Sequence, residues 1–156
     1  MSKCHELEQF GVPADCDPNI APVIEYWQSI APGDALPGRQ HFDPTDIPRL
    51  LQDVWLIDVV RDPLDFSFRL VGTGVAEYFG SDPTGKRLAD VFDNFQDTFA
   101  FRDFCDIVSL REPRWRRGMP ALAPASKIER LERIYLPLAR NGRDVDVILC
   151  FTVFNP

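Results

Sequence analysis

The chain has 156 residues and a formal net charge of −7, with 45% hydrophobic and 12% aromatic residues. That length suits one domain burying about 70% of its unfolded surface, and the apolar share excludes global disorder. The acidic balance argues against nucleic-acid backbones and anionic membranes as partners. No apolar run reaches the roughly 18 residues of a membrane span, and none reads as a secretory leader, so the cytoplasm is the expected location.

Residues 1–16 read as a poorly ordered lead-in. Cys4, His5 and Cys16 there make a thin metal candidate beside the plainer reading of a mobile tail, and no metal site is expected. None of the cysteines (Cys4, Cys16, Cys105, Cys150) has CxxC spacing, and the last two sit in apolar surroundings that suit small core residues. Helical spacing begins with Ile20, Val23, Ile24, Trp27 and Ile30. Asp17-Pro18 or Asn19 starts this helix, and Pro22 is tolerated only in its first turn. Residues 31–38 form a loop. Asp43 is an N-cap with Pro44 at the first helical position, and Ile47, Leu50 and Leu51 give a short helix its apolar face. The nearly all-apolar VWLIDVV, 54–60, predicts a strand covered on both faces. Asp62-Pro63-Leu64-Asp65 turns the chain. The next strand places Phe66, Phe68 and Leu70 on one side and Ser67 and Arg69 on the other, completing a hairpin.

Thr73 caps a short helix bearing Val75, Ala76, Tyr78 and Phe79, which Gly80 ends. A turn over 81–85 leads to a helical segment with Leu88, Val91 and Phe92. The longest helix spans 97–110. Ala100, Phe101, Phe104, Cys105, Ile107 and Val108 share its core face; Thr98, Arg102, Asp103, Asp106 and Ser109 share its solvent face. Phe95 and Phe99 fall off this stripe and imply a bend or a separate contact. Strands follow at 114–122, 128–139 and 145–154, the last two joined by a turn at Arg140-Asn141-Gly142-Arg143. The chain divides into an N-terminal tail and helices at 1–51, packed on a core at 52–156.

Helices, two strands, several helices and three strands form the element order of the PAS fold. The residues agree: Trp27; Pro37-x-Arg39 with Phe42-Asp43-Pro44; Ile47-Pro48-x-Leu50-Leu51; Trp55-Leu56-Ile57-Asp58; Phe68-Arg69-Leu70-Val71-Gly72-Thr73; Gly80-x-Asp82-x-Thr84-Gly85; Glu132-Arg133-x-x-Leu136-Pro137-Leu138, then Gly142 and Val145-Asp146. Together, over 27–151, they resemble a small bacterial branch of the PAS superfamily whose members stand alone. The resemblance implies an α+β fold: a five-stranded antiparallel sheet, short helices across one face, and an N-terminal helical extension. It implies a sensory or regulatory module that holds a small ligand or cofactor between sheet and helices, or that dimerises and binds a signalling partner. No shared ligand carries over from that branch.

Phe68, Phe79, Leu88, Phe92, Phe101, Phe104, Val108 and Leu149 are the candidate lining of an apolar pocket, unless they simply fill the core. Arg69, the one charge in its strand's apolar stretch, either anchors a ligand carboxylate or phosphate or pairs with Asp58. Haem is set aside because His5 and His41 lie in the tail and a loop. Flavin is set aside because Cys105, between Phe104 and Ile107, lacks a polar flavin-contacting pattern, so no cofactor is expected. Arg111, Arg114, Arg116 and Arg117 around Trp115 suit an acidic partner or phosphate, or else a solvated strand face. Glu129/Arg130 and Glu132/Arg133 read as weak cross-strand pairs. No hydrolase, metalloprotease, phosphate-loop or dinucleotide motif occurs, and Gly72-Thr73-Gly74 is too short for a phosphate cradle.

The expectation is a non-catalytic sensory module. A protein–protein adaptor with a filled core and a small pocket enzyme are the alternatives. The helix with Val23, Ile24, Trp27 and Ile30 is either a homodimer contact or folds back on its own sheet.

Overall fold

A computed structural model describes residues 7–118 and 130–154. Five antiparallel strands form one sheet in the order β2-β1-β5-β4-β3. They are β1 (Val54–Val60), β2 (Asp65–Val71), β3 (Arg114–Gly118), β4 (Leu131–Leu138) and β5 (Val147–Phe154). The helices are α1 (Ile20–Ser29), α2 (Thr73–Phe79), α3 (Leu88–Val91) and α4 (Phe99–Leu110). β5 takes the centre, between β1 and β4, as its β-branched and aromatic sequence favours. The α+β fold expected from the sequence is thus observed. The expected strand segments at 119–122 and 128–129 lie outside the described residues.

Alternation along the strands divides the core into two layers. The inner face presents Trp55, Ile57, Phe66, Phe68, Tyr135, Ile148 and Cys150 to α2, α3 and α4. The outer face presents Val54, Leu56, Ile134, Leu136, Leu138, Leu149 and Phe151 to α1 and the segment before it. Residues 7–16, expected to be loose, belong to this outer layer: Leu7 and Val12 are buried, and the Phe10 ring stands edge-on to Trp27 at 5.9 Å. Their apolar residues recur often enough to cover the sheet, which a reading keyed to helix length overlooks. Cys4 and His5 lie outside the described residues, and no group of three potential metal ligands forms among those that are described.

Val23, Ile24 and Trp27 of α1 are buried on the chain's own sheet, with Ile30 packed at the margin. The stripe offered as a dimer contact is therefore already covered. Trp27 Nε1 donates to the Pro137 carbonyl at 2.8 Å. That carbonyl is available because β3 stops pairing at Arg114 opposite Tyr135, short of Pro137. Proline has no N–H to lose there.

Local chemistry corrects several sequence expectations. The β1–β2 register shifts so that Leu56 faces Leu70 while Ile57 faces Phe68. Arg69 is skipped, and Leu70 packs in the outer layer instead of beside Phe66 and Phe68. Asp43 caps through the Thr45 N–H at 3.0 Å, but the next residues form two separate 3₁₀ turns, Pro44–Asp46 and Leu51–Asp53, rather than one short helix. Gly72, not Thr73, is the N-cap of α2, and no side chain bonds there. A Cβ on Gly72 would overlap the carbonyl oxygens of Leu51 and Gln52, so glycine is needed for close approach, its φ being −63°. Thr98 caps α4 by accepting from the Phe101 N–H at 3.2 Å. Phe95 is buried in the 3₁₀ turn before it, whereas Phe99 is exposed.

Candidate functional site

Six of the expected pocket residues do meet on the inner face. Phe68 lies 5.8 Å from Phe79, and Phe79 lies 5.3 Å from Phe92, between ring centroids. Phe66 bridges to Phe104 at 5.3 Å and to Phe101 at 5.9 Å, with Leu88 fully buried beside them. Edge-to-face and tilted contacts at these distances fill the space they enclose. Val108 packs at the margin of the cluster. Leu149 is not part of it. Its neighbours Ile148 and Cys150 face inward, so Leu149 points to the outer layer. Arg69 is exposed at the bulge, and its Nη1 lies 3.3 Å from Asp58 Oδ1, the pair that the sequence offered as its structural role.

Free space lies next to these rings, where α2 crosses β1, β5 and β4. Trp55 comes from β1; Val75, Tyr78 and Phe79 from α2; Leu131, Arg133 and Tyr135 from β4; Thr152 and Phe154 from β5. The cavity measures about 20 Å³, room for one or two waters. Of the residues that the sequence points to, only Phe79 lines it. Arg133 is 7% exposed and Thr152 is 4% exposed, despite their polarity. Trp55 Nε1 donates to Thr152 Oγ1 at 3.1 Å. Burial pushes the Tyr135 phenol well above its ordinary pKa, against an opposing hydrogen bond and charge from Arg133. Tyr135 is therefore a neutral group here. Among the described residues, no carboxylate belongs to this lining.

Arg133 and Thr152 were legible in principle. Arg133 shares its face with Leu131 and Tyr135, and Thr152 shares its face with Cys150 and Phe154. A charge and a hydroxyl repeating on the buried side of central strands is a signal, but adjacent Glu132 makes Arg133 look like half of a surface pair.

Glu132 instead faces the opposite way and is fully buried. Its Oε1 accepts from Arg117 Nε at 2.8 Å and its Oε2 from the Asp17 backbone N–H at 2.5 Å. Arg117 also donates to the Asp15 carbonyl at 2.9 Å, which ties the start of the outer layer to β3 and β4. Arg116 holds Asp103 through two bonds of 2.9 and 2.7 Å. Asp103 is thus buried on α4 rather than on its solvent face. Arg114 pairs with Asp106 at 3.5 Å. These arginines are engaged by the chain's own acids, which corrects the picture of a solvated basic patch. Glu129 lies outside the described residues. Burial raises the Cys150 thiol well above its ordinary value, so it is no thiolate nucleophile. No described helix is long and apolar enough to cross a membrane.

A family model described as PAS domain matches residues 17–152. No curated protein matches the chain. Among solved structures, the chain is similar to a light-oxygen-voltage domain studied with a flavin analogue. The TM-score is 0.53 at 13% identity, covering 72% of this chain and 83% of that one. A fungal light-oxygen-voltage photoreceptor domain gives a TM-score of 0.47 at 11% identity, covering 74% and 94%.

This likeness corrects one expectation. The sequence sets flavin aside because Cys105 lacks a flavin-contacting motif, yet a structure with the same fold was studied with a flavin analogue. Flavin is restored as a ligand class for this fold. The present packing leaves about 20 Å³ beside α2. A three-ring cofactor would fit only with Phe79 and its neighbours displaced.

Proposed function

The chain belongs to the PAS domain family, and from that premise we propose that it is a non-catalytic regulatory module that senses a small ligand in the cavity beside α2. One observation carries the reading: a largely apolar cavity at the junction of helix and sheet, with Arg133, Tyr135 and Thr152 among its polar groups. Apolar walls with a few convergent polar groups are the usual make-up of a ligand site. The wall on the helix side belongs to the seven-residue α2, which starts at Gly72 and ends at the left-handed Gly80.

A cavity-filling substitution tests the site. Val75→Met adds volume where Val75 lines the space. The variant keeps wild-type stability in urea if the cavity is real. A loss of about 1–3 kcal/mol would mean that the region is packed solid and that the reading fails. That second result would favour a protein–protein adaptor, which the interlocked Phe66, Phe95, Phe101 and Phe104 rings already suit.

A further inference from the structure

The outer face of the sheet carries a second opening, at the edge opposite β3. Arg39, carried on the 3₁₀ turn Arg39–His41, meets β1, the β2 bulge and the 82–85 turn around a groove of about 400 Å³. That volume lies in the ordinary range of small-ligand sites. Leu56 and Leu70, both of the outer layer, supply its apolar lining. The segments that meet here all lie among the described residues.

Among those residues, two cations and one acid line the groove. Arg39 Nη1 donates to the Phe42 carbonyl at 2.9 Å, and the guanidinium carbon stands 5.4 Å from the Phe42 ring centroid. The turn that carries it is tied by the Gly38 N–H, which donates to His41 Nδ1 at 2.9 Å. The guanidinium is thus held in place. Yet no carboxylate pairs with it among the described residues, and its buried Nε has no acceptor there. A fixed, charged donor set without an acid is what an incoming anion satisfies. Arg69 supplies the second cation. Its contact with Asp58 is 3.3 Å long and both side chains are partly exposed, so the pair is weak. That contact leaves Arg69 Nε and Nη2 uncommitted among the described residues. Thr84 adds no donor, because its hydroxyl already donates to Asp82.

Chemistry narrows the occupant. A carboxylate fills one guanidinium fork, whereas the three terminal oxygens of a phosphate monoester can take bonds from two. Asp58 opposes a dianion, but between exposed side chains that repulsion is screened. The outer edge of β2 is already taken. The Gly85 N–H donates to the Phe68 carbonyl at 2.7 Å, the Phe68 N–H donates to the Lys86 carbonyl at 2.9 Å, and Ser67 bridges Arg87. A peptide therefore cannot extend the sheet there, which favours a small molecule.

We propose that this groove binds a small organic phosphate monoester, its phosphate held by Arg39 and Arg69 and its carbon skeleton against Leu56 and Leu70. The groove lies on the other face of the sheet from the cavity beside α2, so the two sites stand or fall separately.

Phenyl phosphate is titrated into the full chain and followed by nuclear magnetic resonance, with benzoate, phenol and sodium chloride at matched ionic strength as comparisons. Saturable amide shifts at Arg39, Arg69, Leu70 and Gly85 are expected, with benzoate about tenfold or more weaker and phenol silent. Arg69→Gln, a change at an exposed side chain, weakens phenyl phosphate about tenfold. Arg39→Lys keeps the charge but not the fork and also weakens it. Asp58→Asn tightens it about two- to fivefold, because the opposing charge goes and Arg69 is released. Shifts no larger than those from sodium chloride, or an affinity unchanged in both arginine variants, overturn the site. Benzoate binding as tightly as phenyl phosphate overturns the phosphate assignment. A short phosphoserine peptide that binds where phenyl phosphate does not overturns the small-molecule assignment.

Discussion

Replacing Trp27 decides whether the outer layer is intramolecular. The indole is 7% exposed, packs against Phe10 at 5.9 Å and donates to the Pro137 carbonyl at 2.8 Å. Trp27→Phe keeps a ring but removes the donor, stranding that carbonyl, at a cost of about 1–3 kcal/mol. Trp27→Ala also opens a cavity between α1 and β4, and the total rises to about 3–5 kcal/mol. With an ordinary slope of about 2 kcal/mol per molar urea, the alanine variant unfolds roughly 2 M earlier. A domain of about 5–15 kcal/mol stability survives one such change, so the transition remains measurable. The assay is urea unfolding by circular dichroism at two protein concentrations well apart. Intramolecular cover predicts the same loss at both. An alanine loss below about 1 kcal/mol, or a midpoint that moves with protein concentration, would refute the reasoning and return α1 to a dimer contact.

The Arg116–Asp103 pair should be asymmetric. Arg116→Ala leaves a buried carboxylate without its cation and costs about 3–5 kcal/mol, whereas Asp103→Asn costs clearly less because Arg116 reaches solvent; chemical denaturation of both variants gives the order. Gly72→Ala forces its methyl against the Leu51 and Gln52 carbonyls and costs about 1–3 kcal/mol or more in the same assay, although its φ suits alanine. Asp82 accepts from the side chain and the backbone N–H of Thr84, which lowers its pKa. A lowered folded pKa stabilises above the ordinary value of about 3.9 and is lost as pH falls through the folded value. Asp82→Ala is therefore destabilising at neutral pH, and the gap from wild type closes in acid. A gap unchanged on acidification would show that the charge is irrelevant to the turn.

Period-two and helical patterns make most of the fold legible. The strand sequences, the α4 stripe and the Asn-Gly turn all carry local signals, and Asn141 Oδ1 indeed accepts from the Arg143 and Asp144 N–H groups. The misplaced residues depend on non-local facts. Leu70 changes face through a bulge in the β1–β2 ladder. Leu149 joins the expected pocket only if the alternation that turns Ile148 and Cys150 inward is ignored. Asp103 looks like a solvent-facing helix residue until Arg116, thirteen positions on, supplies its partner. The Phe residues are recognisable as an inner-face cluster, but composition does not distinguish rings that line a space from rings that fill it. The flavin expectation weighs one cysteine motif, whereas a structure of similar fold was studied with a flavin analogue.

The most direct measurement is urea unfolding of Val75→Met beside the wild-type chain. The account predicts equal stability, because the added side-chain volume enters the space that Val75 shares with Trp55, Tyr135 and Thr152. A loss of about 1–3 kcal/mol would contradict it, because the region would then be packed solid.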